Sequence, residues 1–135
     1  MSRQLPLIDV ETGFYWTAGE TGHLYIQRCG DCGRYQHPPL PLCRACHSAA
    51  VAPQPVSGRG RIATYTVNHE RWLPGLDAPF VYAAVELEEQ AQLYVTTNIL
   101  GPVEAVRSGL PVAVEFEHID DVWLPLFRPV AGDAQ

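Results

Sequence analysis

The sequence predicts a mainly β protein, with a short N-terminal helix and a small cysteine-stapled ribbon followed by a five-stranded barrel. Three observations predict it. All four cysteines fall between residues 29 and 46, as two C-x2-C hooks. Beyond residue 58 the hydrophobic pattern takes a period of two and repeats in successive short runs. Between the third and fourth runs lies one stretch with room for a turn or two of helix. A chain of 135 residues holds one ordinary domain, or a stapled module joined to a compact second one, and excludes two large cores. The expected division is 1–50, helix plus ribbon, and 51–135, barrel.

Residues 11–22, ETGFYWTAGETG, begin with an acid and bring Phe14, Tyr15 and Trp16 together, which reads as a short helix with an aromatic face. That face either covers the ribbon or docks on a partner. LYIQR (24–28) is a strand leading into the first hook.

The hooks are Cys29-x2-Cys32 and Cys43-x2-Cys46. Each sets two thiolates within reach of one ion, and together they complete a tetrahedron of four sulfurs at about 2.3 Å from Zn²⁺. Gly30 and Gly33 follow the cysteines of the first hook, where a tight turn tolerates positive φ, and Asp31 is placed to cap that turn. A thioredoxin-like redox role is disfavoured because Pro38, Pro39 and Pro41 block a helix after the first hook. Disulfides are disfavoured because nothing marks the chain as secreted. Four-sulfur iron, as in rubredoxin, uses similar knuckles and stays open beside zinc. A closed four-cysteine site has no position for water or substrate, so it is a structural staple, with His37 and His47 outside the ligand set.

Residues 49–58, AAVAPQPVSG, read as a linker or crossover. Ala63, Tyr65 and Val67 then alternate with Ile62, Thr64 and Thr66. Val81, Ala83, Val85 and Leu87 form a second strand, Leu93, Val95, Thr97 and Ile99 a third, and Val112, Val114, Phe116 and His118 a fourth. DVWLPLFRP (121–129) is a fifth, which Pro125 assigns to an edge. With GPVEAVRSGLP (101–111) between strands three and four, this is the layout of an OB-fold. The loop NHERWLPGLDAPF (68–80) is long and rich in His, Arg, Trp and Pro, a composition more often functional than structural.

Charge bears on partners. Residues 1–61 hold six arginines against four acids, residues 62–135 three arginines against eleven, and lysine is absent. The C-terminal part therefore lacks the cationic face that nucleic-acid binding needs. No run approaches the roughly 20 apolar residues that span a bilayer, and the N-terminus has no signal-peptide core, so the expectation is a soluble, cytoplasmic protein.

The aromatic helix, the paired hooks, the run VSGRGRIATYTV (56–67) and the ending PLFRPV (125–130) together resemble one known family, the acyl-CoA-associated zinc-ribbon/OB-fold proteins long catalogued as a domain of unknown function. The resemblance covers about residues 14–130. It implies an accessory subunit of lipid metabolism that pairs with a thiolase-like enzyme, whether thiolase, aldolase or acyltransferase. The partner then supplies the nucleophile and base, and no catalytic residue falls on this chain. One departure is VELEEQ (85–90), where Gln90 replaces the family's glycine at the tip after the second barrel strand.

On this reading Arg59, Gly60 and Arg61, with His69, Arg71 and Trp72 of the long loop, are candidates for contact with acyl-CoA or the partner. The bland counterpart is that the glycines form a bulge and the arginines pair with nearby acids. His69 beside Glu70 is a poor base with its orienter, because neighbours on a strand point to opposite faces. The alternative function is single-stranded nucleic-acid binding. It would place Tyr82 and Tyr94 on an outward face that also carries Glu86 and Glu88 and no positive charge.

Overall fold

The computed structural model describes Pro6 and residues 13–69 and 79–130. Helix α1 (Gly13–Thr17) passes directly into a 3₁₀ turn (Ala18–Thr21), which ends at Gly22 with φ 85°. The two lie against the strands Val122–Pro129 and Leu24–Cys29. Tyr15 is buried in the core, while Phe14 and Trp16 are half-buried against it. The aromatic face thus packs on the chain's own core.

The ribbon is an antiparallel sheet of β1 (Leu24–Cys29), β2 (Tyr35–Gln36) and β3 (Val51–Val56), in the order β2-β1-β3. Segment 51–56 is therefore a strand and not a linker, pairing along the whole of β1 from Leu24↔Val56 to Cys29↔Val51. Its proline content suggested otherwise. Pro53 and Pro55 stand two apart, so both turn their missing N–H to the same side, which on this outer strand is the free edge.

The barrel comprises β4 (Arg59–Asn68), β5 (Phe80–Leu87), β6 (Tyr94–Ile99), β7 (Pro111–Ile119) and β8 (Val122–Pro129), closed in the order β4-β5-β6-β8-β7. A 3₁₀ turn (Val103–Ala105) fills the connection from β6 to β7. The register of β4 on β5 shifts between Ile62 and Thr64, a bulge at Ala63. Ile62 is buried and Tyr65 and Val67 also pack on the core, so the inward set changes parity along one strand, which simple alternation does not show. Gly60 needs its missing side chain for packing: a Cβ there would collide with the Glu86 carbonyl oxygen and stand 2.9 Å from Val85 Cγ1.

The fifth strand is not an edge, contrary to the expectation from Pro125: β8 lies between β6 and β7 in the closed barrel, and Pro125 is buried. The β6–β8 seam has the single register Ile99↔Phe127, and the Pro125 carbonyl accepts from the Thr97 hydroxyl at 2.9 Å. A strand residue points its N and its C=O to the same side, so the N–H that proline lacks falls where no ladder requires it.

Ribbon and barrel share one core, in which Leu24, Ile26 and Val56 join Ile62, Val85, Val95 and Phe127. The β5–β6 turn fastens them together. Gln90 Nε2 donates to the Tyr35 carbonyl (3.0 Å) and its Oε1 accepts from the Tyr35 N–H (2.9 Å), while Glu89 accepts from the Ser57 N–H (2.7 Å). The residue that departs from the family glycine therefore extends the ribbon's edge with an amide that mimics a peptide group. Gln90→Gly is expected to lower stability by about 1–2 kcal/mol, as two hydrogen bonds are lost. Amide exchange at Tyr35 reads it directly, and unchanged protection there would refute the clamp.

Candidate metal centre and flanking clefts

The two hooks fold as near copies of one knuckle. In the first, the N–H groups of Asp31 and Cys32 donate to Cys29 Sγ, both at 3.4 Å, and the Gly33 N–H closes the turn on the Cys29 carbonyl at 3.0 Å. In the second, Ala45 and Cys46 donate to Cys43 Sγ at 3.3 and 3.4 Å, and the His47 N–H reaches the Cys43 carbonyl at 2.8 Å. Gly33 has φ 81° and His47, at the matching place, φ 65°. Gly30 has no positive φ, contrary to the expectation; its N–H pairs with the Ala50 carbonyl at 2.6 Å. Asp31 accepts from the Ser48 hydroxyl (2.5 Å), which ties one knuckle to the other.

The four sulfurs converge. Cys29 Sγ and Cys46 Sγ are 3.6 Å apart, as are Cys32 Sγ and Cys43 Sγ, and all four lie within 4.8 Å of one another. A regular tetrahedron with metal–sulfur bonds of about 2.3 Å has edges of roughly 3.8 Å, so the set fits one ion. Neither His37 nor His47 belongs to it. Cys29 and Cys43 are buried, Cys32 and Cys46 exposed.

Electrostatics point the same way. The N–H of Cys32, then that of Asp31, lowers the Cys29 thiol against its burial, and those of Cys46 and Ala45 bring Cys43 down to about 6. At Cys46 the Ser48 N–H pulls downward, but proximity to Cys29, and then to Cys32 and Cys43, pushes the thiol up to about 12. Four thiolates this close cannot all ionise without a cation among them. The filled site has no open coordination position, so its chemistry is cross-linking.

Two residues that sequence reasoning missed position the second knuckle. Gln27 and Gln36, both buried, join through Gln36 Nε2 and Gln27 Oε1 (2.6 Å). Gln27 then exchanges hydrogen bonds with the N–H and carbonyl of Leu40, both at 2.9 Å. Gln36 donates to the Leu42 carbonyl (3.0 Å) and accepts from the Arg44 N–H (2.9 Å). The proline-rich loop has no sheet partner, and these two amides supply its backbone with one. The signal in the sequence was a glutamine inside the apolar run LYIQRC.

The His37 ring lies 4.6 Å from that of Tyr15 at a tilt of 37°, and its buried Nδ1 has no hydrogen-bond partner among the described residues. Burial pushes its pKa down to about 4. Below the ordinary value of 6.5 the unfolded chain takes up a proton that the folded chain refuses until about pH 4. Stability should therefore fall as pH drops through that window, by about 3 kcal/mol in all. Urea midpoints at about pH 7 and about pH 4.5 for wild type and His37→Asn measure this, the variant keeping any acid loss that comes from the thiols. Equal slopes in the two proteins would refute it.

The remaining predicted contacts are placed as follows. Arg59 and Arg61 flank Gly60 along a groove of about 420 Å³ that Leu87, Pro111, Val112 and Val130 also line. Arg59 pairs with Glu88 (3.2 Å), and Arg61 donates to the Gly109 carbonyl (3.0 Å). His69 is exposed just beyond β4. Arg71 and Trp72, with most of the 68–80 loop, lie outside the described residues. The outward face of β5 and β6 exposes Tyr82 and Tyr94 and carries no cation, so it does not suit a phosphate backbone. Among the described residues no helix is long and apolar enough to cross a membrane.

Two family models divide the chain: the rubredoxin-like zinc ribbon domain of ChsH2 matches residues 16–52, and the C-terminal OB-fold domain of ChsH2 matches residues 53–117. The chain belongs to the ChsH2 (DUF35) family. As a ChsH2-type protein it is 34% identical, over 94% of its length, to a probable enoyl-CoA hydratase alpha subunit of Thermomonospora curvata. It is 33% identical, over 92% of its length, to the 3-oxo-4,17-pregnadiene-20-carboxyl-CoA hydratase alpha subunit of Mycobacterium tuberculosis. The chain spans 40% and 39% of the lengths of these two relatives. Among solved structures, a chain of the Ltp2-ChsH2(DUF35) aldolase superposes with TM-score 0.83 at 33% identity, covering 93% of this chain and 98% of that one. The four-cysteine cluster thus lies within a ChsH2-type zinc ribbon, next to a ChsH2-type OB-fold barrel.

Proposed function

We propose that this chain is a non-catalytic accessory subunit of an acyl-CoA-processing enzyme, assembled as a hetero-oligomer with a thiolase-like partner. One observation carries the reading: the fold and a third of the sequence match the ChsH2(DUF35) chain of an aldolase over nearly that chain's full length. The four-cysteine centre holds structural zinc, whose closed thiolate shell supplies a cross-link. The groove at Arg59, Gly60 and Arg61 offers an uncharged acyl-pantetheine arm an apolar wall of Leu87, Pro111 and Val112, with backbone close at hand. The half-exposed sides of Phe14 and Trp16 are the aromatic anchors available to the partner.

The experiment is co-expression with a thiolase-like protein of the same genome, purification by a tag on one chain, and assay of metal and acyl-CoA turnover with each chain alone and both together. A stable complex with about one zinc per chain, and turnover that needs both chains, is expected. A chain that purifies alone from every such partner would overturn the proposal. A second reading, a hydratase complex, is favoured by the two hydratase alpha subunits, and the same purified assembly assayed for hydration of an enoyl-CoA distinguishes it.

A further inference from the structure

A second cleft, of about 260 Å³, lies where the second knuckle meets the β5–β6 turn, lined by Arg34, His37, Arg44, Gln90 and Gln92 among others. Among the described residues no carboxylate lines it, although the chain as a whole carries a net charge of −6. Elsewhere the described arginines other than Arg107 are engaged. Arg28 donates to the Gly33 carbonyl and covers the Tyr35 ring, Arg59 and Arg61 are held as above, and Arg128 grips Glu115 with two nitrogens. Among the described residues three arginines, Arg34, Arg44 and Arg107, have no side-chain partner, and two of these line this one cleft.

Their backbones are fixed while their guanidiniums are free. The Arg34 carbonyl accepts from Cys29, and the Arg44 N–H is held by Gln36. Gln92 lines the same cleft from the β5–β6 turn, where it takes φ 66° and its N–H donates to Glu86 at 2.7 Å. We infer that this cleft binds the phosphoryl group of a small molecule, a phosphomonoester or diphosphate, between the forks of Arg34 and Arg44, with the Gln92 amide as a further donor. Two planar forks match phosphate oxygens bidentately, and no carboxylate among the described residues lines the cleft to compete for them. A filled four-thiolate centre is itself a dianion beside Arg44, and the guanidiniums must offset it as well as the ligand. The groove at Arg59 differs, since Glu86 and Glu88 line it and its arginines are occupied.

The phosphate can come from free oxyanions or from a nucleotide such as that of CoA, and calorimetry on the zinc-loaded full chain separates the two with inorganic pyrophosphate and adenosine 3′,5′-bisphosphate as probes. Both are expected to bind, with affinity falling at least about tenfold in the Arg34→Gln/Arg44→Gln double variant and again on raising salt from about 50 to about 300 mM. Bisphosphate binding well above pyrophosphate assigns the site to a nucleotide, and equal binding assigns it to free oxyanions. Amide shifts in the wild type, expected at Arg34, Arg44 and Gln92, keep the test open if the variant loses zinc. No binding of either probe at millimolar concentration, shifts confined to the Arg59 groove, or unchanged affinity in a folded, zinc-replete double variant would each overturn the site. None of these outcomes depends on which enzyme partners the chain.

Discussion

Stripping the metal from the four-cysteine centre is expected to unfold residues 27–50 and to lower the stability of the whole chain sharply. Most of that segment has little other support. β2 has two residues, the loop from 37 to 50 contains no regular element, and its backbone relies on the amides of Gln27 and Gln36. Structural zinc binds short ribbon-like peptides with an apparent free energy of about 10–16 kcal/mol, and in such modules that binding energy is folding energy. The loss should also spread into the barrel, because Leu24 and Ile26 of β1 lie in the common core. Cys43→Ser is expected to behave like chelation, as it removes a buried ligand that organises its knuckle through two N–H bonds to sulfur. Metal analysis alongside amide exchange and thermal melting checks this. An apo chain that melts at the holo temperature, with residues 27–50 still protected, would show that the hydrogen bonds alone suffice.

Phe127→Ala is the second large effect, with an expected loss of about 3–5 kcal/mol. Among the described residues Phe127 is the largest side chain with no exposure, and it stands at the weakest seam of the barrel. Its backbone makes the one ladder pairing of β8 with β6, at Ile99, in which its carbonyl accepts from Leu100 at 2.8 Å; the Thr97 hydroxyl on the Pro125 carbonyl is a further link. Truncation leaves a cavity beside a ladder too short to close over it. A domain of this size has about 5–15 kcal/mol in all, so the variant should be marginal in urea titration. Tyr82→Ala, at an exposed position of β5, is the control and should shift stability by less than about 0.5 kcal/mol. Similar midpoints for the two variants would mean that the seam is held by something other than Phe127.

Much of the fold was legible because its signals are local. The hooks announce a four-sulfur site through their spacing alone, since a knuckle is built from successive residues whose N–H groups turn onto the first sulfur. Val81, Ala83, Val85 and Leu87 declare their buried face by strict alternation, and all four are buried. The 51–56 strand was misread because proline looks alike in a linker and on the free edge of a sheet. The Ala63 bulge was hidden because a single extra residue changes strand parity without changing composition.

The sequence by itself determined the ribbon, the barrel, their order and the identity of the four ligands, because metal spacing and strand period are properties of neighbouring residues. Only the tertiary structure decided what joins them. Gln90 clamps Tyr35 across 55 positions of chain, Gln27 and Gln36 serve as a backbone for a loop that has none, and Arg34 and Arg44 meet over one cleft while Arg59 is taken by Glu88. These are pairings between distant residues. Their energies depend on which side chains close the shared core, and no spacing along the chain encodes that.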